Sequence, residues 1–154
     1  MRIIIYGANE MASSVATELF EDHDVIIIDP NKKNLDAFSR LDIGTICADV
    51  LDIKILKDAD IASADAFIAL TNDDETNIIA CLTAKQVSDA QTICFVSKKE
   101  SMESINSLKD EYKSSYAQCV ENVIWPQKLL AQEIFKIIAV PNAVDVENFA
   151  HGRA

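Results

Sequence analysis

Binding chemistry concentrates in the stretch Gly7-Ala8-Asn9-Glu10-Met11-Ala12 and in Asp29. A glycine turn entered from a strand and leaving into a helix brings backbone N–H groups to a pyrophosphate at the helix N-terminus. An acid about twenty residues further on, closing a second strand, accepts hydrogen bonds from a ribose 2′-OH and repels a 2′-phosphate. The pair therefore points to NAD or another adenine nucleotide rather than NADP. Two positions depart from the G-x-G-x-x-G pattern. Ala12 at the third glycine is an accepted variant, since that position needs only close helix–strand packing. Asn9 at the second places a side chain where phosphates approach the backbone, and Glu10 adds a negative charge beside it. Asn tolerates the left-handed backbone region, so the turn is expected to survive with a narrowed phosphate site.

The flanking sequence supplies the elements that must hold these groups. Ile3-Ile4-Ile5 is a β-branched apolar run, the signature of a strand buried on both faces. Met11, Val15 and Leu19 set a helical period over about 10–21, and Val25 to Ile28 lead a second strand into Asp29. After Pro30, Asn31 is expected to cap a helix running to about Arg40. Gly44 to Ala48 forms a third strand and Leu51 to Lys57 a short helix. Ala64 to Leu70 forms a fourth strand. Thr71-Asn72-Asp73-Asp74 then caps a helix to about Val87, its N-terminus favoured by acidic residues. Thr92 to Val96 is a fifth strand. A helix over 101–108 with a weak tail to Ser115 follows, then short extended pieces over 117–124 before Trp125-Pro126.

This alternation implies an α/β fold, a Rossmann-like doubly wound parallel sheet with helices on both faces. Right-handed crossovers put every strand's C-terminal end on one edge, where ligands of such sheets bind. Gly7 to Met11, Asp29, Asp49, Thr71 with Asn72, and Phe95 to Lys98 fall there.

A chain of 154 residues with 49% hydrophobic content fits one domain with a proper core. A formal net charge of −11 argues against nucleic-acid binding and against adsorption to anionic lipid. Cys47, Cys81, Cys94 and Cys119 are widely spaced without a C-x-x-C pair, and there are only two histidines, so no zinc site is expected. Cys47, Cys81 and Cys94 lie in apolar stretches and are expected to be small core residues in a reducing, cytoplasmic setting. The first strand begins at residue 2, leaving no room for a signal peptide. No apolar stretch reaches the ~18 residues of a membrane span, so there is no direct membrane insertion and any membrane link runs through a partner.

Residues 127–140 differ from the other helical segments. Lys128, Gln132 and Lys136 make one narrow polar stripe with Glu133 beside it, and the rest of the circumference is apolar. A helix lying on its own domain needs one apolar face. Either this helix is wedged deep inside one domain, or it is shared between two subunits; its place after the completed sheet favours the second. Pro141-Asn142 breaks it, and Val144, Val146 and Phe149 alternate as in a short strand. The organisation expected is a nucleotide-binding core over 1–126, then the helix and the start of a C-terminal extension over 127–154.

Several pieces in order resemble the N-terminal domain of bacterial potassium-transport regulators, the TrkA N-terminal (RCK or KTN) domains. They are IIIYGANEMA with Asp29, ADVLD at 48–52, ADAFIALTNDDETNIIACLTAK at 64–85, NVIWP at 122–126, the apolar helix, and PNAVDVENFAHG at 141–152. The resemblance spans essentially the whole chain. It implies a cytoplasmic regulatory domain that assembles as a homodimer or larger ring. Such a domain is attached to a membrane potassium channel or transporter subunit and gated by NAD(H), AMP, ADP or ATP. It further implies ligand contacts from Gly7, Ala8, Asn9, Glu10, Met11 and Asp29, with Asp49 and Val50 flanking the adenine and Thr71 and Asn72 approaching the phosphates or the far nucleoside. Helix 127–140 matches the family's crossover helix, which packs on a partner subunit. The family often carries an Arg in strand five that pairs with phosphates; the corresponding position here is Phe95. With Asn9, and with Glu10, Asp49, Asp73 and Asp74 around the cleft rim, this implies weak dinucleotide binding and a preference for a less charged ligand such as AMP, or an empty cleft.

Two competing functions stay in view. One is a ligand-free structural domain of the same fold, serving only assembly. The other is an NAD-dependent oxidoreductase, against which stands the lack of a substrate domain and of a placed acid–base pair, His23 and His151 lying away from the cleft edge.

Overall fold

In the computed structural model, which describes residues 1–111 and 120–139, the chain builds six strands and six helices. The strands are β1 (Arg2–Tyr6), β2 (Asp24–Asp29), β3 (Gly44–Cys47), β4 (Ala66–Ala69), β5 (Gln91–Phe95) and β6 (Asn122–Ile124). The helices are α1 (Glu10–Leu19), α2 (Lys32–Leu35), α3 (Ile53–Asp58), α4 (Asp74–Val87), α5 (Lys99–Glu111) and α6 (Pro126–Ala139). All neighbouring strands pair in parallel, in the order β3-β2-β1-β4-β5-β6. That order reverses between β1 and β4, which places a crevice at their C-terminal ends.

β1 lies at the centre because its residues are apolar on both sides of the pleat. Ile4 and Tyr6 enter one core layer with Phe67, Leu56 and Cys94; Ile3 and Ile5 enter the other with Ile27, Phe38 and Ile68. Ile4 and Ile5 are wholly buried, each stabilising the fold by about 2 kcal/mol. Ala12 and Ala16 are also wholly buried, so α1 lies close on the sheet.

Several expectations are revised. The helix capped by Asn31 does not reach Arg40; it spans Lys32–Leu35 and tightens into a 3-10 turn over Asp36–Phe38, which buries Leu35 and Phe38. Cys47 is exposed, because β3 is an edge strand whose residues are mostly open; among the described cysteines, Cys81 and Cys94 are core. α5 begins at Lys99, two residues earlier than expected, and runs to Glu111, within the expected tail. The strand expected around 144–149 lies outside the described residues, as does Cys119.

α6 is not wedged inside the domain. None of its residues is buried. Leu129, Leu130, Ile134, Phe135, Ile137 and Ile138 are all exposed, the last by 72%. Its first turns sit beside α5 and β6, where Lys128, Leu129 and Gln132 share a cavity of about 270 Å³ with Met102, Val123 and Trp125. Among the described residues no helix is long and apolar enough to cross a membrane.

Candidate functional site at the carboxyl edge of the sheet

The turn after β1 is fixed by Gly7. Its φ is +104°, and a Cβ there would meet the Leu70 carbonyl carbon and the Thr71 nitrogen at 2.9 Å. Both the backbone conformation and the close approach of the β4 end require glycine. The Gly7 N–H donates to the Ile28 carbonyl at 2.9 Å, joining the turn to β2.

Asn9 does not take the left-handed conformation that its residue type suggests. Its φ and ψ are −112° and −176°, extended backbone, and it is the N-cap of α1. Its Oδ1 accepts from the Ala12 N–H at 2.9 Å. Its Nδ2 donates to the Leu70 carbonyl at 2.5 Å and to Asn72 Oδ1 at 3.3 Å. The middle position of the glycine motif thus holds a side chain that caps the helix and bridges to β4. The asparagine satisfies from within the chain part of what a bound phosphate would satisfy from outside.

Asp29 is buried and closes the other side of the turn. Its Oδ2 accepts from the Ala8 N–H at 2.9 Å; its Oδ1 accepts from the Asn31 N–H at 2.7 Å and from Asn34 Nδ2 at 3.1 Å. Of roughly four lone-pair positions on a carboxylate, three are taken by these donors. Asp49, in the loop after β3, is exposed. Asp49 Oδ1 accepts from the Leu51 N–H at 3.0 Å and from the Tyr6 hydroxyl at 3.1 Å. Burial first, then the charge and hydrogen bond of Asp49 and the charge of Asp29, push the Tyr6 phenol well above its ordinary range, so it remains a donor. Val50 is wholly buried in the core; what it offers a ligand is backbone.

The β4 and β5 ends form the opposite wall. Asn9, Glu10, Met11, Asn72 and Phe95 line a cleft of about 370 Å³. Asn72 is exposed and Thr71 half-buried. Asp73, rather than Thr71, is the N-cap of α4, accepting from the Thr76 N–H at 2.9 Å. Hydrogen bonds from Thr76 hold its carboxyl below the usual range.

Asp74 does not add to an acidic rim. It is buried and turned toward the start of α5, where it accepts from the Ser97 N–H at 2.8 Å, the Ser97 hydroxyl at 2.9 Å and the Lys98 N–H at 2.9 Å. Burial pushes its carboxyl up, but these donors with Ser101 outweigh burial and hold it below the usual range. The cations near Phe95 are committed elsewhere: Lys98 Nζ lies 3.1 Å from Glu75 and Lys99 Nζ 3.1 Å from Glu103. Nothing basic replaces the missing strand-five arginine within the lined cleft.

Tyr6, Asp74 and Asn77 hold this edge together; the sequence assigns Tyr6 and Asn77 no role and places Asp74 in the helix cap and on the cleft rim. Asn77 is wholly buried. Its Oδ1 accepts from the Thr71 N–H and hydroxyl, at 2.9 and 2.6 Å, and its Nδ2 donates to the Thr71 and Phe95 carbonyls, both at 3.0 Å. The available signal was position: residues 74, 77, 81 and 84 share one face of α4, and Cys81 and Ala84 place that face in the core. Among the described residues no group of three His, Cys, Asp or Glu could hold a metal. The hydrogen bond to Cys94, then burial, push the Cys81 thiol up, so it is no nucleophile.

Strand order, glycine turn and crevice define a Rossmann-type domain with its ligand edge formed. Residues 3–112 match the TrkA-N domain model, and the chain belongs to that family. It is 35% identical over 153 residues to the Trk system potassium uptake protein TrkA homolog of Archaeoglobus fulgidus, covering 99% of this chain and 34% of the relative. The chain thus spans about a third of that relative's length. Among solved structures it resembles the TrkA-N domain of the inner membrane protein ybaL from Escherichia coli, with a TM-score of 0.74 and 11% identity over 89% of this chain and 96% of that one. It also resembles the GsuK channel bound to NAD, with a TM-score of 0.69 and 18% identity over 86% of this chain and 23% of that one. GsuK has also been solved bound to ADP.

Proposed function

We propose that this chain is a cytoplasmic regulatory module of a potassium transport system, sensing an adenine nucleotide at the carboxyl edge of its sheet. The observation that carries the reading is the cleft between Asn9, Asn72 and Phe95, adjoining the Gly7 turn and Asp29, in a chain of the TrkA-N family. The adenosine half of the ligand lies between Asp29 and Asp49, with the backbone of Val50 at the base. The phosphates meet the turn from Gly7 to Met11, and any second nucleoside faces Thr71, Asn72 and Phe95. NAD and ADP bound to GsuK support this class of ligand. Residues 1–126 form the sensing core. Residues 127–154 form the crossover helix and the start of an extension that joins two copies, and occupancy shifts the arrangement of the pair. The membrane partner is a potassium channel or transporter subunit, and the module performs no catalysis.

Dinucleotide affinity is weak in this reading, since Asn9 occupies the phosphate approach and the cleft lacks a cation. Calorimetric titration with NADH and AMP tests it. Weak binding, with AMP at least equal to NADH, is expected; sub-micromolar NADH affinity contradicts it.

A second reading, a domain of the same fold kept only for assembly, is favoured by one observation. The Ala8 and Ala12 N–H groups, which face the ligand in this motif, are already satisfied by Asp29 and Asn9. Absence of binding by any adenine nucleotide at millimolar concentration, with self-association intact, would select it.

A further inference from the structure

We infer that Asn77 is the positioning residue that builds the second-nucleoside half of the cleft, and that through it this domain distinguishes a dinucleotide from a mononucleotide. The inference rests on the proposed nucleotide site and adds a residue to it. The two loops that face the second nucleoside belong to different strands. Thr71 and Asn72 follow β4; Phe95 ends β5. β4 and β5 pair through Ala69 and Cys94, so no ladder pair ties Thr71 to Phe95 beyond that point.

Asn77 supplies the tie. One primary amide spends an acceptor on the Thr71 N–H and hydroxyl and divides its two donors between the Thr71 and Phe95 carbonyls. The group is wholly buried, so no water takes over if it is removed, and the two carbonyls would be left without their donor. Asp74, one turn earlier on α4, grips the next two residues after Val96 through the Ser97 and Lys98 N–H groups. Asp74 and Asn77, one turn apart on α4, therefore hold both loops as one body.

The adenosine half is built differently. Asp29, Asp49 and Tyr6 hold it, on β1, β2 and the loop after β3, and none of them touches Asn77 through the hydrogen bonds described. AMP, which needs the adenosine half and one phosphate, should not register the state of Asn77. NAD⁺, which must also seat a nucleoside against Thr71 and Phe95, should.

The test uses the whole chain with NAD⁺ and AMP as probes. In N77S, NAD⁺ affinity is expected to fall by about tenfold, the order expected for uncovering two buried carbonyls, with AMP affinity within about twofold of the parent. A loss of general stability would lower both affinities, so equal falls overturn the inference, as do two unchanged affinities. Should N77S not fold, the parent protein gives the answer by ¹⁵N spectroscopy of the Asn77 side-chain amide. NAD⁺ is expected to shift that resonance together with the Val96 backbone amide, both saturating with one dissociation constant, while AMP leaves both in place. A side-chain resonance that ignores NAD⁺, or follows AMP equally, overturns the inference and leaves the nucleotide site standing. Binding of neither probe to the parent sinks both.

Discussion

The carboxyl edge of the sheet and α6 are opposites. At the edge, polar groups have been turned inward until little is left over: Asn9 caps α1 and reaches β4, Asp29 has three donors, Asp74 three and Asn77 four partners. On α6 the reverse holds, and six large apolar side chains lie open to water. A polar cleft that satisfies itself is stable with or without a ligand. An apolar helix with no fully buried residue gains little from the hydrophobic effect until something covers its open face. One region has its polar groups satisfied from within; the other leaves its large apolar side chains exposed.

Three experiments press on this contrast. The largest effect is expected on α6. On the proposed pairing through α6, replacing both Phe135 and Ile138 by Asp should weaken self-association by more than about a hundredfold, while thermal stability of the isolated fold changes little, since neither side chain is buried. Light scattering after gel filtration reads this; an unchanged mass would mean that α6 is not the contact. Next comes Asn9→Gly, which opens the self-satisfied region. A glycine at an N-cap costs only a few tenths of a kcal/mol, and the phosphate approach is cleared, so NADH affinity should rise by about tenfold. Unchanged affinity would show that the asparagine is no obstacle. The smallest effect concerns how firmly the edge is closed. Asp74 has a folded pKa below its unfolded value, so its contribution is present at neutral pH and is lost as pH falls through the folded pKa, below the ordinary value of about 4. Asp74→Asn should be less stable than the parent at pH 7 and approach it in denaturant midpoint as pH is lowered below the ordinary carboxylate range; a constant gap would assign the loss to something other than charge.

Much of the fold was legible because its central strands are written in one kind of residue. Ile3 to Ile5, Val25 to Ile28 and Ala66 to Ala69 read as buried parallel strands, whereas the order β3-β2-β1-β4-β5-β6 is set by pairing that no run of residues states. Of the edge strands, β3 was bounded to within one residue, whereas β6 was only a stretch of short extended pieces, since a three-residue strand with one neighbour has little patterning. The candidate site was legible where a motif fixes spacing, as at Gly7 and Asp29. It was illegible where the decisive fact is a side chain's direction. Nothing in the residue type says that Asn9 caps rather than turns left-handed, or that Asp74 looks into the protein while Asp73 looks out. Asn77 could have been found from its place on the core face of α4, because a polar amide there needs partners.

The Leu70–Thr71 peptide passes so near Gly7 that a single methyl group would not fit between them. The tips of the first and fourth strands are therefore welded by contact at the topological centre of the crevice. A guest arriving there finds a floor that cannot give, and whatever displacement it causes must be carried by the walls.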